Sequence, residues 1–320
     1  MIHVEEERYN SYSGYLNKKY GCKVYKLPIN VSCTCPNRDG SIGLGGCIFC
    51  GEKGAGFESL PNSLSVKEQL QKNMDYIRQK YKAEKFIAYF QNYSNTYMPL
   101  LNFKEYIKEA CMEDVVEISV STRPDCINDS YLEFLYDVSR EKNKNISIEL
   151  GLQTVNYHTL MKINRGHTLA EFLDGALRVK KYGFELCVHV ILDFPWDNMD
   201  DVVECAKILS SIGVDHVKIH SLYIVKETAL GDLYQNGEIS PISMEEYINR
   251  VVTFLEYLSP DIVIQRLVGR VPEADSLFAN WNTSWWKIKD YIEDKMNELN
   301  TFQGKKFNYL GGRALDKFRE

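Results

Sequence analysis

Residues 23–51 read KVYKLPINVSCTCPNRDGSIGLGGCIFCG. The opening part, 23–31, is rich in β-forming residues and reads as a strand. It runs directly into a glycine-rich loop that carries Cys33, Cys35, Cys47 and Cys50, the last two as a CxxC pair. Where strands alternate with helices around a barrel, chemistry gathers on the loops that follow strand C-termini, and this loop follows the first strand.

Outward from that stretch the chain alternates. Further β-rich runs fall at 85–90, 115–120, 146–152, 184–192 and 214–222. Between them lie segments with helical spacing, at 65–81, 102–112, 128–141, 168–182, 200–212 and 243–258, the first opening on a Ser65/Glu68 capping pair. Strand and helix in turn predict a parallel sheet with right-handed crossovers. Apolar runs such as 115–120 and 188–192 suit strands covered on both faces. With no glycine-rich dinucleotide loop, the fold class expected is α/β, a partial TIM-like (β/α)6 barrel, spanning residues 1–260. Residues 261–320 read as a C-terminal extension packed on the barrel: a possible seventh strand at 262–267, Trp281, Trp285 and Trp286, a helix over 286–299 and a basic tail.

Composition bounds the function. The 320 residues carry a net charge of −6, which argues against general nucleic-acid binding without excluding a local basic surface. No apolar run is long enough to span a membrane. The N-terminus is polar and acidic, with no basic region followed by an apolar run, so a cytoplasmic protein without a secretory signal is expected. Nine cysteines, four of them clustered, suit metal binding or catalysis in a reducing compartment. The scattered Cys22, Cys111, Cys126, Cys187 and Cys205 read as small buried hydrophobes.

Three thiolates from Cys35, Cys47 and Cys50 would hold a [4Fe–4S] cluster and leave one iron without a protein ligand. That iron can take the amino and carboxylate groups of S-adenosylmethionine (SAM), whose reductive cleavage gives a 5′-deoxyadenosyl radical. On spacing alone a structural zinc held by Cys33, Cys35, Cys47 and Cys50 stays open.

Four blocks carry a resemblance: Cys35-Pro-Asn-Arg-Asp-Gly to Gly-Gly-Cys47-Ile-Phe-Cys50; Ser121-Thr-Arg-Pro-Asp125; Glu149-Leu-Gly-Leu-Gln153 leading to Ile163-Asn-Arg-Gly-His167; and Val217-Lys-Ile-His-Ser-Leu222 followed by Val225-Lys-Glu-Thr228. In this order they resemble radical SAM proteins related to the elongator catalytic subunit, over nearly the whole chain. The resemblance implies a radical SAM barrel, the [4Fe–4S] cluster over zinc, SAM as cofactor, and a flavodoxin- or ferredoxin-type electron donor. Phe49 matches the aromatic near the adenine. Gln153 and Arg165 match a SAM-facing pair of oxygen-independent coproporphyrinogen oxidases, a guanidinium being apt for a carboxylate. His189 stands where relatives often place an acidic group on the SAM ribose. The Gly-Gly-Glu motif that receives the SAM amino group elsewhere is missing, and Asn95 and Thr96 are the expected replacements. Ser121 departs from the usual Glu of elongator-like relatives.

Lys218 and His220 alternate along strand six, so with Leu222 they point to one face, and they are active-site candidates, or partners of side chains in the layer below. Tyr89, Tyr93, Tyr97 and Tyr223 lie near strand ends, where a tyrosine can relay a hydrogen atom or stack a base. The resemblance implies a tRNA substrate, with carboxymethylaminomethyluridine turned into aminomethyluridine at the wobble position by loss of a glyoxylate fragment. Lys287, Lys289, Lys305, Lys306, Arg313, Lys317, Arg319 and the tryptophans are the expected RNA surface. The alternatives are a radical SAM enzyme of a small metabolite and a non-catalytic zinc or iron–sulfur module.

Overall fold

The computed structural model describes residues 7–51, 59–270 and 275–318. Arg319 of the expected basic surface lies outside the described residues. Seven parallel strands curl into a half-barrel in the order β1 (Val24–Ile29), β2 (Lys85–Phe90), β3 (Val115–Thr122), β4 (Asn145–Gln153), β5 (Glu185–Ile191), β6 (His216–His220) and β8 (Val263–Arg266). The crossovers run through α2 (Val66–Tyr81), α3 (Leu100–Ala110), α4 (Asp129–Lys142), α6 (Leu169–Lys181), α7 (Met199–Ser211) and α9 (Met244–Tyr257). The α/β barrel expected from the alternation is thus the fold observed. The sheet continues past residue 260, because β8 pairs with β6.

Each strand splits its two faces by chemistry. Ile146, Ile148, Leu150 and Leu152 of β4, with Leu186, Val188 and Val190 of β5, join the large apolar core under the helices. Fully burying such side chains contributes about 1.5–3 kcal/mol apiece. The alternate residues face the lumen and are mostly polar: Glu117 and Ser119 on β3, Ser147 and Glu149 on β4, His189 on β5, His216 and Lys218 on β6, with Val24 and Ile87 forming a small apolar cluster against Leu16. The strands are covered on both faces as expected, but their inner cover is a hydrogen-bonded polar lumen.

The nine-residue α1 (Tyr12–Tyr20), not foreseen in the sequence, closes the lumen at the strand N-termini. Tyr20 Oη donates to Glu117 (2.8 Å), and Tyr15 Oη and Lys19 Nζ both reach Glu185 (2.5 Å each). Its buried face is Leu16, packed on Val24 and Ile87, with Tyr12, Tyr15 and Tyr20 around it, a short stripe made mostly of tyrosines. Short β7 (Ile224–Val225) and β9 (Ser276–Phe278) pair antiparallel beside the cysteine loop, followed by α10 (Trp285–Glu298). The half-barrel stays open between β1 and β8, where residues 10–11 bridge to Ile264.

Candidate active site at the cysteine loop

The cysteine loop is clamped to the loop after β4 by backbone groups. Ile48 N–H donates to Ile163 O (3.0 Å), Asn37 Nδ2 to Asn164 O (2.6 Å), and Asn164 Nδ2 to Gly46 O (2.8 Å). Leu230 N–H on α8 (Ala229–Gln235) donates to Ile48 O at 2.9 Å. Glycine is required at Gly166: its φ is +74°, and a Cβ there would stand 2.6 Å from Asn37 Oδ1. The Ile163–His167 block is therefore built to receive the cysteine loop.

Each of the three cysteines meets an arginine. Arg123 Nη1 lies 4.0 Å from Cys35 Sγ, Arg165 Nη1 3.5 Å from Cys47 Sγ, and Arg38 Nη1 3.6 Å from Cys50 Sγ. Asn37 Nδ2 adds a contact to Cys47 Sγ at 3.8 Å. Arg123 is fixed by a fork to Asp125 (2.8 and 2.6 Å) and by donating to Arg165 O (2.9 Å), which explains the Ser121–Asp125 block. Neither Arg38 nor Arg123 was singled out in the sequence as a sulfur partner. A cation spaced irregularly from its cysteine leaves no local signal.

The site fits a cluster better than a single ion. Among the described residues, the set of three potential metal ligands lying within 4.8 Å of one another is Glu149, Cys187 and His189, not the loop cysteines. Thiolates around one tetrahedral zinc, with Zn–S about 2.3 Å, would sit closer together than that. Three sulfurs set wider and ringed by N–H donors suit an anionic iron–sulfur cluster. Burial pushes the Cys50 thiol up, with Cys47 adding to it and Arg38 opposing, so metal binding has to displace a proton. Cys33 points elsewhere, its thiol donating to Asn92 O at 3.4 Å, and burial raises it to about 12.

The expected SAM residues divide. Gln153 and Arg165 come together across Gly151, where an added Cβ would be 2.8 Å from both Gln153 Nε2 and Arg165 Nη2. Gln153 holds a φ of +76°, beside the register shift at the end of β4. Arg165 donates to Gly151 O (2.6 Å), and its buried Nε has no partner among the described residues. An orphaned guanidinium N–H at the cluster loop is a ready donor for a carboxylate. Phe49 is half-buried against Phe194, ring centroids 6.1 Å apart.

The other three are already occupied. Asn95 Nδ2 donates to Phe90 O, Asn92 O and Ser121 O (3.0, 3.0 and 2.9 Å). Thr96 Oγ1 bonds Thr122 Oγ1 (2.6 Å) and Cys126 O (2.7 Å). Both therefore hold the loop after β2. His189 engages both ring nitrogens, Nε2 with Glu149 Oε2 (2.6 Å) and Nδ1 with His220 Nε2 (3.2 Å), leaving neither for a ribose.

Below the rim, Glu149 is fully buried and collects donors from four strands: Lys26 and Ser119 on Oε1, Lys218 and His189 on Oε2. Burial alone would raise its carboxyl, but Lys218, Lys26 and His189 outweigh that and hold it well below the usual range. Lys26 and Lys218 also lie over the Tyr89 ring, 4.4 and 4.6 Å from its centroid. Lys218 and His220 are thus lumen residues bonded to their neighbours. Asp193, past β5, accepts from Leu222 N–H with both oxygens (2.8 and 2.9 Å), and burial raises it to about 7.

The C-terminal surface is mixed. Trp281 is packed on Tyr247 and donates to Ile242 O (2.7 Å), whereas Trp285 and Trp286 are exposed. Lys289 pairs with Glu293 (2.7 Å) and Lys306 with Glu256 (2.5 Å), and Lys305 donates to Asn300 O.

Comparison with known proteins agrees with this geometry. Residues 29–209 match the Radical SAM superfamily, and residues 214–298 match the Radical_SAM C-terminal domain. The uncharacterized protein YtqA of Bacillus subtilis is 31% identical over 95% of this chain and 94% of its own. The tRNA uridine(34) acetyltransferase of Methanocaldococcus jannaschii is 23% identical over 48% of this chain and 28% of its own. The solved structure of Elp3 from Methanocaldococcus infernus shares the fold with a TM-score of 0.67 at 14% identity, over 88% of this chain and 64% of that one.

Proposed function

The chain belongs to the radical SAM superfamily, whose cofactors are a [4Fe–4S] cluster and SAM, and from that premise we propose that it acts on tRNA, turning carboxymethylaminomethyluridine into aminomethyluridine at the wobble position. When bound, cluster and SAM together supply one-electron cleavage of the sulfonium and a carbon radical able to take a hydrogen atom. Cys35, Cys47 and Cys50 are the proposed iron ligands. Arg165 and Gln153 bind SAM's polar end, Phe49 flanks its adenine, Asn95 and Thr96 hold the loop after β2, and His189 belongs to the lumen layer below. A flavodoxin- or ferredoxin-type protein supplies the electron, and the reaction belongs to the cytoplasm. Among the described residues no helix is long and apolar enough to cross a membrane.

The observation that carries the substrate reading is the open seam. A cavity of about 670 Å³ runs between β1 and β8 to the lumen, lined by Lys23, Lys26, Lys218, Arg266, Arg270 and Lys289; no acidic residue is among its described lining, and Glu149 and Glu293 behind it pair with Lys26, Lys218 and Lys289. Tyr25 and Trp285 flank it, Arg270 lying 4.8 Å from the Trp285 ring centroid. Cations interleaved with aromatic faces suit an anionic, stacking ligand such as a nucleotide. The likeness to elongator-type proteins and to a tRNA uridine(34) enzyme supports the same reading.

Nucleoside mass spectrometry of tRNA from cells lacking the protein tests it. Carboxymethylaminomethyl wobble uridines should accumulate at the expense of aminomethyl-derived ones. Unchanged wobble uridines would remove the tRNA assignment and leave the superfamily membership standing.

A further inference from the structure

The lumen cluster has a direction. Glu149 is ionised and accepts all four of its hydrogen bonds, so each partner must present a hydrogen. His189 therefore carries its proton on Nε2, facing Glu149. A neutral imidazole bears one proton, so His189 Nδ1 is a bare acceptor. The His220 Nε2 that lies 3.2 Å from it must then be N–H. That leaves a lone pair on His220 Nδ1, which meets no described residue. His220 ends β6, is only partly buried, and stacks on inward-facing His189 with centroids 5.1 Å apart, so it stands at the edge of the lumen cluster.

We propose that Glu149 fixes, through His189, the tautomer of His220, making His220 Nδ1 a hydrogen-bond acceptor for an anionic substrate that also carries an N–H or O–H group. Glu149 and His189 are positioning residues, and His220 is the substrate-facing group. The anionic part is set by the surrounding charge. Lys26 on β1, Lys218 on β6 and Arg266 on β8 outnumber Glu149 on β4, and Tyr89 on β2 remains neutral. The same surroundings keep both imidazoles uncharged. Burial and Lys218, against Glu149, hold His189 down to about 4, and burial with Arg266, His189 and Lys218 holds His220 well below its usual value. A glycine-derived side chain with a carboxylate and an N–H meets both requirements, so the inference deepens the wobble-uridine reading and, for that substrate, rests on it.

The protein has six histidines, so ¹⁵N-histidine labelling of the cluster-loaded, oxidised protein gives a readable spectrum, with His220→Asn for assignment. Both His189 and His220 should show Nε2 protonated and Nδ1 bare near neutral pH. A proton on Nδ1 of either ring, or an imidazolium, overturns the proposal. The second arm compares binding of carboxymethylaminomethyluridine nucleoside with its N,N-dimethylammonium analogue, which keeps the charge and lacks the N–H. The wild-type preference for the N–H compound should be about tenfold or more and collapse toward unity in His220→Leu. A preference unchanged in His220→Leu also overturns it. Failure of the wobble-uridine reading appears elsewhere, in the tRNA nucleosides of deletion cells, and does not move the ring tautomers.

Discussion

The two ends of the barrel lumen are both lined with charge, yet they are built to opposite purposes. At the strand N-termini, Glu117 and Glu185 are met from within the protein by Tyr20, Ser147, Tyr15, Lys19 and His216. That floor is a plug, with α1 as its stopper. At the C-terminal rim, donors crowd around three thiols and one is left over: the buried Nε of Arg165 has no partner. Buried polar groups without partners cost about 1–3 kcal/mol each, so a fold retains them where a ligand is to supply the partner. Charge alone does not mark the site. The floor keeps an orphan too, His216 Nδ1, but Glu185 engages the ring's Nε2, so what distinguishes the rim is an unspent guanidinium donor.

The sharpest way to break this comparison is at the rim. Cys35→Ala, Cys47→Ala and Cys50→Ala should each abolish the cluster, read as loss of iron and of visible absorbance after anaerobic reconstitution, whereas Cys33→Ala should keep about four irons per chain. Equal dependence on Cys33, or one zinc per chain, would show that the rim is a closed structural site.

Next in size is the layer between the two ends. Glu149→Ala strands Lys26 and Lys218 in the lumen and should cost about 3–5 kcal/mol in denaturant unfolding. Glu117→Ala on the floor leaves mainly hydroxyl donors unmet and should cost about 1–3 kcal/mol. A floor variant costlier than the Glu149 variant would contradict the ranking.

Arg165→Ala should weaken SAM binding by roughly tenfold to a hundredfold, about 1.5–3 kcal/mol, in equilibrium dialysis with the iron content unchanged. Undiminished SAM affinity would mean that the orphaned donor serves something else.

The smallest effect is a pH dependence of stability. His167, at the rim, is pushed down to about 2 by burial and by Arg165 and Arg123. Its folded form therefore binds a proton less readily than the unfolded chain, whose imidazole titrates near 6.5. Stability from this group is present above about pH 6.5 and falls as pH drops below it. Denaturant midpoints between pH 7 and 4.5 should decline less in His167→Asn than in the wild type, and parallel slopes would refute the assignment.

Much of this molecule was legible in its sequence. The six βα units announced themselves because one face of every strand packs under helices and must be apolar, as with Ile146, Ile148 and Leu150. The cysteine loop was equally plain, since its cysteines lie close together along the chain. Helix α1 was hidden because it is short and its buried face is one leucine among tyrosines. The sulfur-facing roles of Arg38 and Arg123 were hidden because an arginine reaches its thiol only after folding.

The sequence by itself determined the barrel, through the period of apolar burial, and the gathering of the cysteines on one loop, through local spacing; the superfamily came from the resemblance of four motif blocks. Only the tertiary structure decided which polar side chains are spent and which are free. Asn95, Thr96 and His189 have partners within the fold, while Arg165 keeps an unpaired N–H. Hydrogen bonds in the lumen join residues from different strands, such as Lys26, Glu149 and Lys218. Their pairing is set by barrel curvature and register, which no linear spacing records.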